Sequence, residues 1–187
     1  MGGLSTRSRY GPPVRIVAGA ARGRRLVTPE GTATRPTGDR VREATFNALT
    51  SLGALGGARV IDLYAGSGAM GLEALSRGAS SATFVDNDPR AVSAIRANVT
   101  ATGFTDEAEV VRSDVQWFLA GHRADADLAI LDPPYALADE AWTSLLTSLV
   151  AGVAVLESDR ELAVPEGWEI LRARRYGTTV ITLAARR

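Results

Sequence analysis

Four acidic residues stand where short apolar runs end: Asp62 after ARVI, Asp86 after SATFV, Asp114 after AEVVRS and Asp132 after DLAIL. Singly, each is a turn-friendly residue. Four in succession exceed what turn chemistry asks for, and together they describe one acidic rim, the candidate active site. The last is followed by Pro133, Pro134 and Tyr135, giving the stretch ILDPPY. Two prolines remove two backbone donors and fix φ at about −65°. The residue before each proline is pushed toward extended geometry. A carboxylate, two stiff residues and an aromatic ring therefore close the fourth apolar run.

The first acid leads into a second motif. Gly66-Ser67-Gly68-Ala69-Met70-Gly71 is a full GxGxxG that follows an apolar run and opens a helical one. Its glycines permit a tight turn and close approach of a ligand to the backbone, with helix N–H groups pointing outward. Asp86 lies 20 residues beyond Gly66, where an acid can bind ribose hydroxyls. On the glycines and Asp86 alone, a nicotinamide dinucleotide remains open, and with it an NAD(P)-binding oxidoreductase. Two features weigh against it. Asp62 and the Leu63-Tyr64-Ala65 link put a carboxylate inside the loop, where it repels a pyrophosphate and suits an ammonium. Asp114 adds an acceptor suited to an adenine amino group. A ligand with an ammonium, a ribose, an adenine and no phosphate is S-adenosyl-L-methionine.

These residues need a scaffold, and the pattern from residue 58 supplies one. Apolar strands alternate with helical segments: ARVIDLY and AMGLEALSRG, SATFVD and PRAVSAIRANVTATG, AEVVRSD and VQWFLAG, DLAILD and ADEAWTSLLTSLV, then VAVLES. Fully apolar strands between helices predict βαβ units and a parallel sheet covered on both faces. WEILRARRYGTTVITLAARR closes the chain as two alternating strands around Tyr176-Gly177, an antiparallel hairpin. The expected fold is α/β, a doubly wound Rossmann-like sheet of seven strands, which binds ligands at the carboxyl ends of its strands. Upstream, Asp39–Leu52 reads as a helix with apolar positions at Val41, Thr45, Ala48, Leu49 and Leu52, capped by Thr37 or Asp39. Val14–Val17 and Arg24–Val27 read as two short strands joined by a Gly/Arg turn. The expected organisation is a disordered tail at 1–13, a basic β-hairpin extension at 14–37 and a catalytic domain at 38–187.

Composition narrows the chemistry. The 187 residues contain no cysteine and one histidine, His122, in a polar stretch. Disulfides, thiolate nucleophiles, zinc–thiolate centres and multi-histidine metal sites are thereby excluded. No signal-peptide core and no membrane-length apolar run is present, so a cytoplasmic protein is expected. The net charge of zero conceals segregation. Residues 1–42 carry nine arginines against two acids, residues 43–170 seven against 19, and residues 171–187 five against none. Positive charge gathered at both chain ends is the footprint of a polyanionic partner, or else a solvated basic face.

D-x-x-x-G-x-G on the first strand and D-P-P-Y on the fourth, in that order, resemble the class I S-adenosylmethionine-dependent amino-methyltransferases. More narrowly, RIVAG, RGRRL, RPTGDRVREATFNAL and VIDLYAGSGAMGLEALSRGA resemble the RsmD-type enzymes, over roughly residues 14–185. The resemblance implies methylation of the N2 amine of one guanine (966) in 16S rRNA, on the bacterial 30S subunit or an assembly intermediate, by a monomer. It implies that Asp62, Tyr64, Gly66, Ser67, Gly68, Asp86, Asn87, Asp114 and Val115 hold the cofactor, with Trp117 and Phe118 either near the adenine or in the core. Asp132, Pro133, Pro134 and Tyr135 would hold the guanine. Asp132 and the Pro133 carbonyl would accept hydrogen bonds from the amine, and Tyr135 would stack on the extracted base. Arg22, Arg24, Arg25, Arg35, Thr37, Arg40 and Arg42 would contact RNA phosphates, with Glu43 holding Arg40 or Arg42. Rival readings are an adenine-N6 methyltransferase, which shares the D-P-P-Y type of motif, and a non-catalytic ribosome-binding protein.

Overall fold

Strands that are apolar on both sides must be covered on both sides, and the computed structural model shows how. It describes residues 14–29, 38–121, 125–134 and 137–187. The elements are α1 (Asp39–Ser51), β1 (Arg59–Leu63), α2 (Ala69–Ser76), β2 (Ser81–Asp86), α3 (Pro89–Thr102), β3 (Ala108–Arg112), α4 (Val115–Gly121), β4 (Asp125–Leu131), α5 (Asp139–Ser148), β5 (Val150–Ser158), β6 (Trp168–Tyr176) and β7 (Thr179–Arg186). The seven strands form one sheet in the order β3-β2-β1-β4-β5-β7-β6. β1 to β5 pair in parallel, whereas β7 runs antiparallel to both β5 and β6. The strand order reverses between β1 and β4, which opens a crevice at their carboxyl ends.

Period-two alternation sends successive side chains to opposite layers. Phe84, Ile130, Val155 and Ile181 face one layer, where they pack with Phe46 of α1, Leu72 of α2 and Ile95 of α3. Leu63, Leu131 and Leu156 face the other, with Phe118 of α4 and Trp142 and Leu145 of α5. Both layers are closed.

Two expectations about the N-terminal region are corrected. The predicted pair of strands is reduced to one antiparallel bridge, Arg15 against Arg25. Around it the Ile16 N–H donates to the Arg24 carbonyl at 2.9 Å and the Leu26 N–H to the Val14 carbonyl at 2.8 Å, while the side chains of Val14, Ile16, Ala21 and Leu26 turn into the main core. The cap of α1 is Gly38, which gives no side-chain hydrogen bond; Asp39 is the first helical residue. Its carboxylate bonds Arg15 Nε at 3.0 Å and Arg42 Nη2 at 2.8 Å instead of the helix N–H groups. Thr37, the other predicted cap, lies outside the described residues, as do the 1–13 tail and His122. Leu52 is exposed, and Phe46 takes the inward position.

Candidate active site

The parallel register carries all four predicted acids to one rim. Asp62 is the penultimate residue of β1, one position earlier than the sequence pattern suggests. It is 2% exposed and accepts the Gly71 N–H at 2.8 Å. Burial pushes its carboxyl up to about 7, against the Gly71 hydrogen bond and with help from the Asp86 charge. Burial favours the neutral acid here, and a cationic ligand beside it would favour the carboxylate, which makes Asp62 a candidate for binding one.

The loop after β1 is shaped to bring backbone close to a ligand. Tyr64 has φ +61°, the only positive value outside glycine among the described residues. Gly66 and Gly68 follow at +58° and +75°, and Gly68 caps α2. A Cβ on Gly71 would lie 2.4 Å from Phe84 Cε1, so the motif's last glycine permits close packing of α2 on the sheet. Burial foremost, and then the Asp114 charge, raise the Tyr64 hydroxyl.

Asp86 ends β2 and uses both oxygens: Oδ2 accepts the Gly66 N–H at 2.8 Å and Oδ1 the Asp88 N–H at 2.9 Å. Asn87 is exposed, and its carbonyl accepts from Arg112 Nε at 3.5 Å. Asp114 is exposed and caps α4, accepting the Gln116 and Trp117 N–H groups at 2.9 and 3.1 Å. Val115 and Phe118 belong to the α4–α5 core. Trp117 departs from the core-packing alternative, being 68% exposed.

Asp132 follows β4, and Pro133 is buried while Pro134 is exposed. The Asp132 N–H donates to the Leu63 carbonyl at 3.4 Å, which ties the turn to β1. Burial raises the Asp132 carboxyl well above the usual range, and the charges of Glu157 and Asp62 raise it further. Tyr135 lies outside the described residues. Glu157 is a functional candidate that the four-acid pattern did not include. It is 4% exposed near the end of β5, and the pairing of Leu131 with Leu156 sets it beside Asp132. The signal was present in VAVLES: the fifth parallel strand also ends on an acid.

The arginines divide. Arg22, Arg24, Arg25 and Arg40 are exposed; Arg35 lies outside the described residues. Arg42 leaves the predicted RNA-contacting set, because it is wholly buried. Its Nη2 donates to the Arg15 carbonyl at 2.7 Å and to Asp39, and its Nε lies 3.8 Å from Glu73. These partners are Asp39 and Glu73, not the expected Glu43. Glu73 in turn accepts the Val17 and Ala18 N–H groups at 2.7 and 3.0 Å, so the pair fastens the N-terminal segment to α2.

The rim is rich in carboxylates and backbone donors, which suits a ligand bearing an ammonium, hydroxyls and an adenine. Asp62, Asp86 and the glycine loop are the groups that would hold it. Among the described residues no cluster of three metal-ligating side chains occurs.

The chain is similar to known proteins. The sequence pattern of the family described as "Conserved hypothetical protein 95" matches residues 14–185. Ribosomal RNA small subunit methyltransferase D of Escherichia coli K12 is 35% identical over 188 positions, spanning 92% of this chain and 90% of that protein. The protein of the same name from Haemophilus influenzae is 34% identical, spanning 88% and 89%. A solved structure of a hypothetical protein from Thermus thermophilus superposes with a TM-score of 0.78 at 37% identity, over 91% of this chain and 98% of that one. The chain belongs to the RsmD-type family of class I methyltransferases, whose cofactor is S-adenosyl-L-methionine.

Proposed function

We propose that the protein methylates the exocyclic N2 amine of a guanine, the one corresponding to position 966, in 16S rRNA of the small ribosomal subunit. The observation that carries this reading is the Asp132-Pro133-Pro134 turn, fastened to β1 beside buried Asp62 and Glu157. The name shared by the E. coli and H. influenzae relatives supports the small-subunit substrate.

An amine conjugated to a base is a poor nucleophile, since its lone pair is delocalised into the ring. Asp132 and the Pro133 carbonyl accept hydrogen bonds from its two N–H groups and draw the nitrogen toward tetrahedral geometry. Pro133 is fixed in φ and Pro134 has no N–H, so the acceptor direction is set in advance. As the new N–C bond forms, the methyl's bond to the sulfonium breaks with its electron pair left on sulfur, and the nitrogen loses one proton, which Asp132 in its ionised form can take. When bound, S-adenosylmethionine supplies an electrophilic methyl group on a sulfonium. Asp62 would hold the ammonium end, Asp86 the ribose and Asp114 the adenine side. Positioning then carries most of the catalysis.

Arg22, Arg24, Arg25 and Arg40 present positive charge to RNA phosphates without reading sequence. Selection then rests on the shape of the 30S particle or an assembly intermediate. The protein acts as a monomer in the cytoplasm. No helix among the described residues is long and apolar enough to cross a membrane.

The test is transfer of a labelled methyl group to 30S particles that lack native methylation, with nucleoside mass spectrometry of the product. N2-methylguanosine is expected. N6-methyladenosine would keep the chemistry and overturn the substrate.

A further inference from the structure

Asn98, on α3, is wholly buried, and its side chain belongs to none of the roles described above. Its amide makes three hydrogen bonds to two distant segments. Oδ1 accepts the Val27 N–H at 2.7 Å, and Nδ2 donates to the Val27 carbonyl at 2.8 Å. The same Nδ2 donates its second hydrogen to the Ser67 carbonyl at 2.8 Å. A backbone N–H can only donate, so the amide oxygen must face Val27, and this leaves both amide hydrogens for carbonyls.

Val27 ends the basic N-terminal segment, and Ser67 is the central residue of Gly66-Ser67-Gly68. One side chain thus joins the segment bearing Arg22, Arg24 and Arg25 to the loop that opens α2. Packing alone does not require this. An apolar side chain would fill the space but leave the Ser67 carbonyl and both Val27 backbone groups without their partner. The opposite edge of the segment is held elsewhere, by Glu73 and Ser76 of α2. Asn98 is therefore the side chain through which Val27 meets the glycine loop.

We propose that Asn98 is a positioning residue for the cofactor, transmitting the seating of the N-terminal segment at Val27 to the Ser67 carbonyl and hence to the glycine loop. The loop closes on its ligand with the geometry that this tie sets. Linkage is reciprocal, so a ligand in the loop steadies the segment as much as the segment steadies the loop. The inference rests on the glycine loop being the cofactor seat.

The experiment measures S-adenosylhomocysteine affinity by calorimetry in the full-length protein and in two variants, Asn98→Ala and Val27→Pro, and in the double variant. Val27→Pro removes one N–H and disturbs little packing, because the Val27 side chain is 59% exposed. Val27→Pro, which loses one of the three hydrogen bonds, should weaken binding about tenfold, and Asn98→Ala, which loses all three, by at least as much. The double variant should bind no more weakly than Asn98→Ala, since both break one tie. Limited trypsin digestion reads the reverse direction: S-adenosylhomocysteine should slow cleavage at Arg22, Arg24 and Arg25 in the wild type and not in Val27→Pro.

Affinity within twofold of wild type in folded Val27→Pro, with only the melting temperature lowered, would overturn the proposal and leave Asn98 a packing residue. Should Asn98→Ala fail to fold, Val27→Pro decides alone. A wild-type protein that bound no S-adenosylhomocysteine would overturn the seat and the tie together. RNA is absent from all of these measurements, so they stand apart from the identity of the methylated base.

Discussion

The Gly66 N–H donates to Asp86 Oδ2 at 2.8 Å, so the acid at the end of β2 braces the glycine loop that follows β1. Asp86 is thus both a ligand candidate and a structural support. Its second oxygen is committed to the Asp88 N–H, which turns the chain into α3.

Asp86→Ala should therefore weaken S-adenosylhomocysteine binding more than loss of a ribose contact alone. A hydrogen bond to a charged group contributes about 1.5–3 kcal/mol, which corresponds to about 10–100-fold in affinity. Calorimetric titration of the folded variant checks this. Binding unchanged within twofold would remove Asp86 from the site.

Asp62 predicts a pH dependence of stability. Its folded carboxyl titrates near 7, well above its ordinary value, so the folded state holds a proton that the unfolded state releases. Stability without cofactor should fall as pH rises from about 4 to about 7, by an amount on the order of 4 kcal/mol, and level off above. Asp62→Asn should flatten that slope and raise the melting temperature at pH 8, while weakening cofactor binding. Thermal melts from about pH 4 to about pH 8, which bracket the titration, decide it; an unchanged slope contradicts the assignment.

Asp132 and Glu157 predict a pH dependence of rate. Burial foremost, then the Glu157 and Asp62 charges, raise the Asp132 carboxyl, and only its ionised form can take the amine's proton. Turnover should rise with pH through the titration of this group. Glu157→Gln removes one of the charges that raise Asp132, so the rising limb should move to lower pH. A limb that stays in place would show that Glu157 does not act on Asp132.

The arginines predict a split between folding and RNA binding. Arg42→Met removes the hydrogen bonds to the Arg15 carbonyl and to Asp39, while Glu73 keeps Arg77 Nε at 2.8 Å; it should cost about 1.5–3 kcal/mol, seen as a melting temperature lower by roughly 5 °C. Replacing Arg22, Arg24 and Arg25 together by alanine should leave melting nearly unchanged. It should reduce the slope of log affinity against log salt for rRNA by about 2–3. The reverse pattern would return Arg42 to the RNA surface.

The scaffold was legible because its signals are local and redundant. Short apolar runs between helical ones, with acids at their ends, specified β1 to β4 to within a residue or two, while β5 begins at Val150, ahead of the VAVLES run. The hairpin turn at Gly177 is likewise marked by composition and occurs at φ +63°. Arg42 was misread for a physical reason. It stands among arginines in RPTGDRVREA, and no local pattern distinguishes a solvated guanidinium from one paired with Glu73, 31 positions away. Asn98 was invisible on the same ground, since its partners lie 71 and 31 positions off. Glu157, by contrast, was readable from its place at the end of an apolar run. The N-terminal pairing stays short because distant side chains take its outer backbone groups: Glu73 accepts the Val17 and Ala18 N–H groups, and Asn98 binds both backbone groups of Val27.

The most direct test of the account is single-turnover methyl transfer to unmethylated 30S particles by the Asp132→Ala protein, alongside its affinity for S-adenosylhomocysteine. The account predicts cofactor affinity within about threefold of wild type and transfer reduced by at least about 100-fold, the scale expected when a group that acts on the transition state is removed. Transfer that persists at the wild-type rate would contradict it, and the Asp132-Pro133-Pro134 turn would then be only the end of a strand.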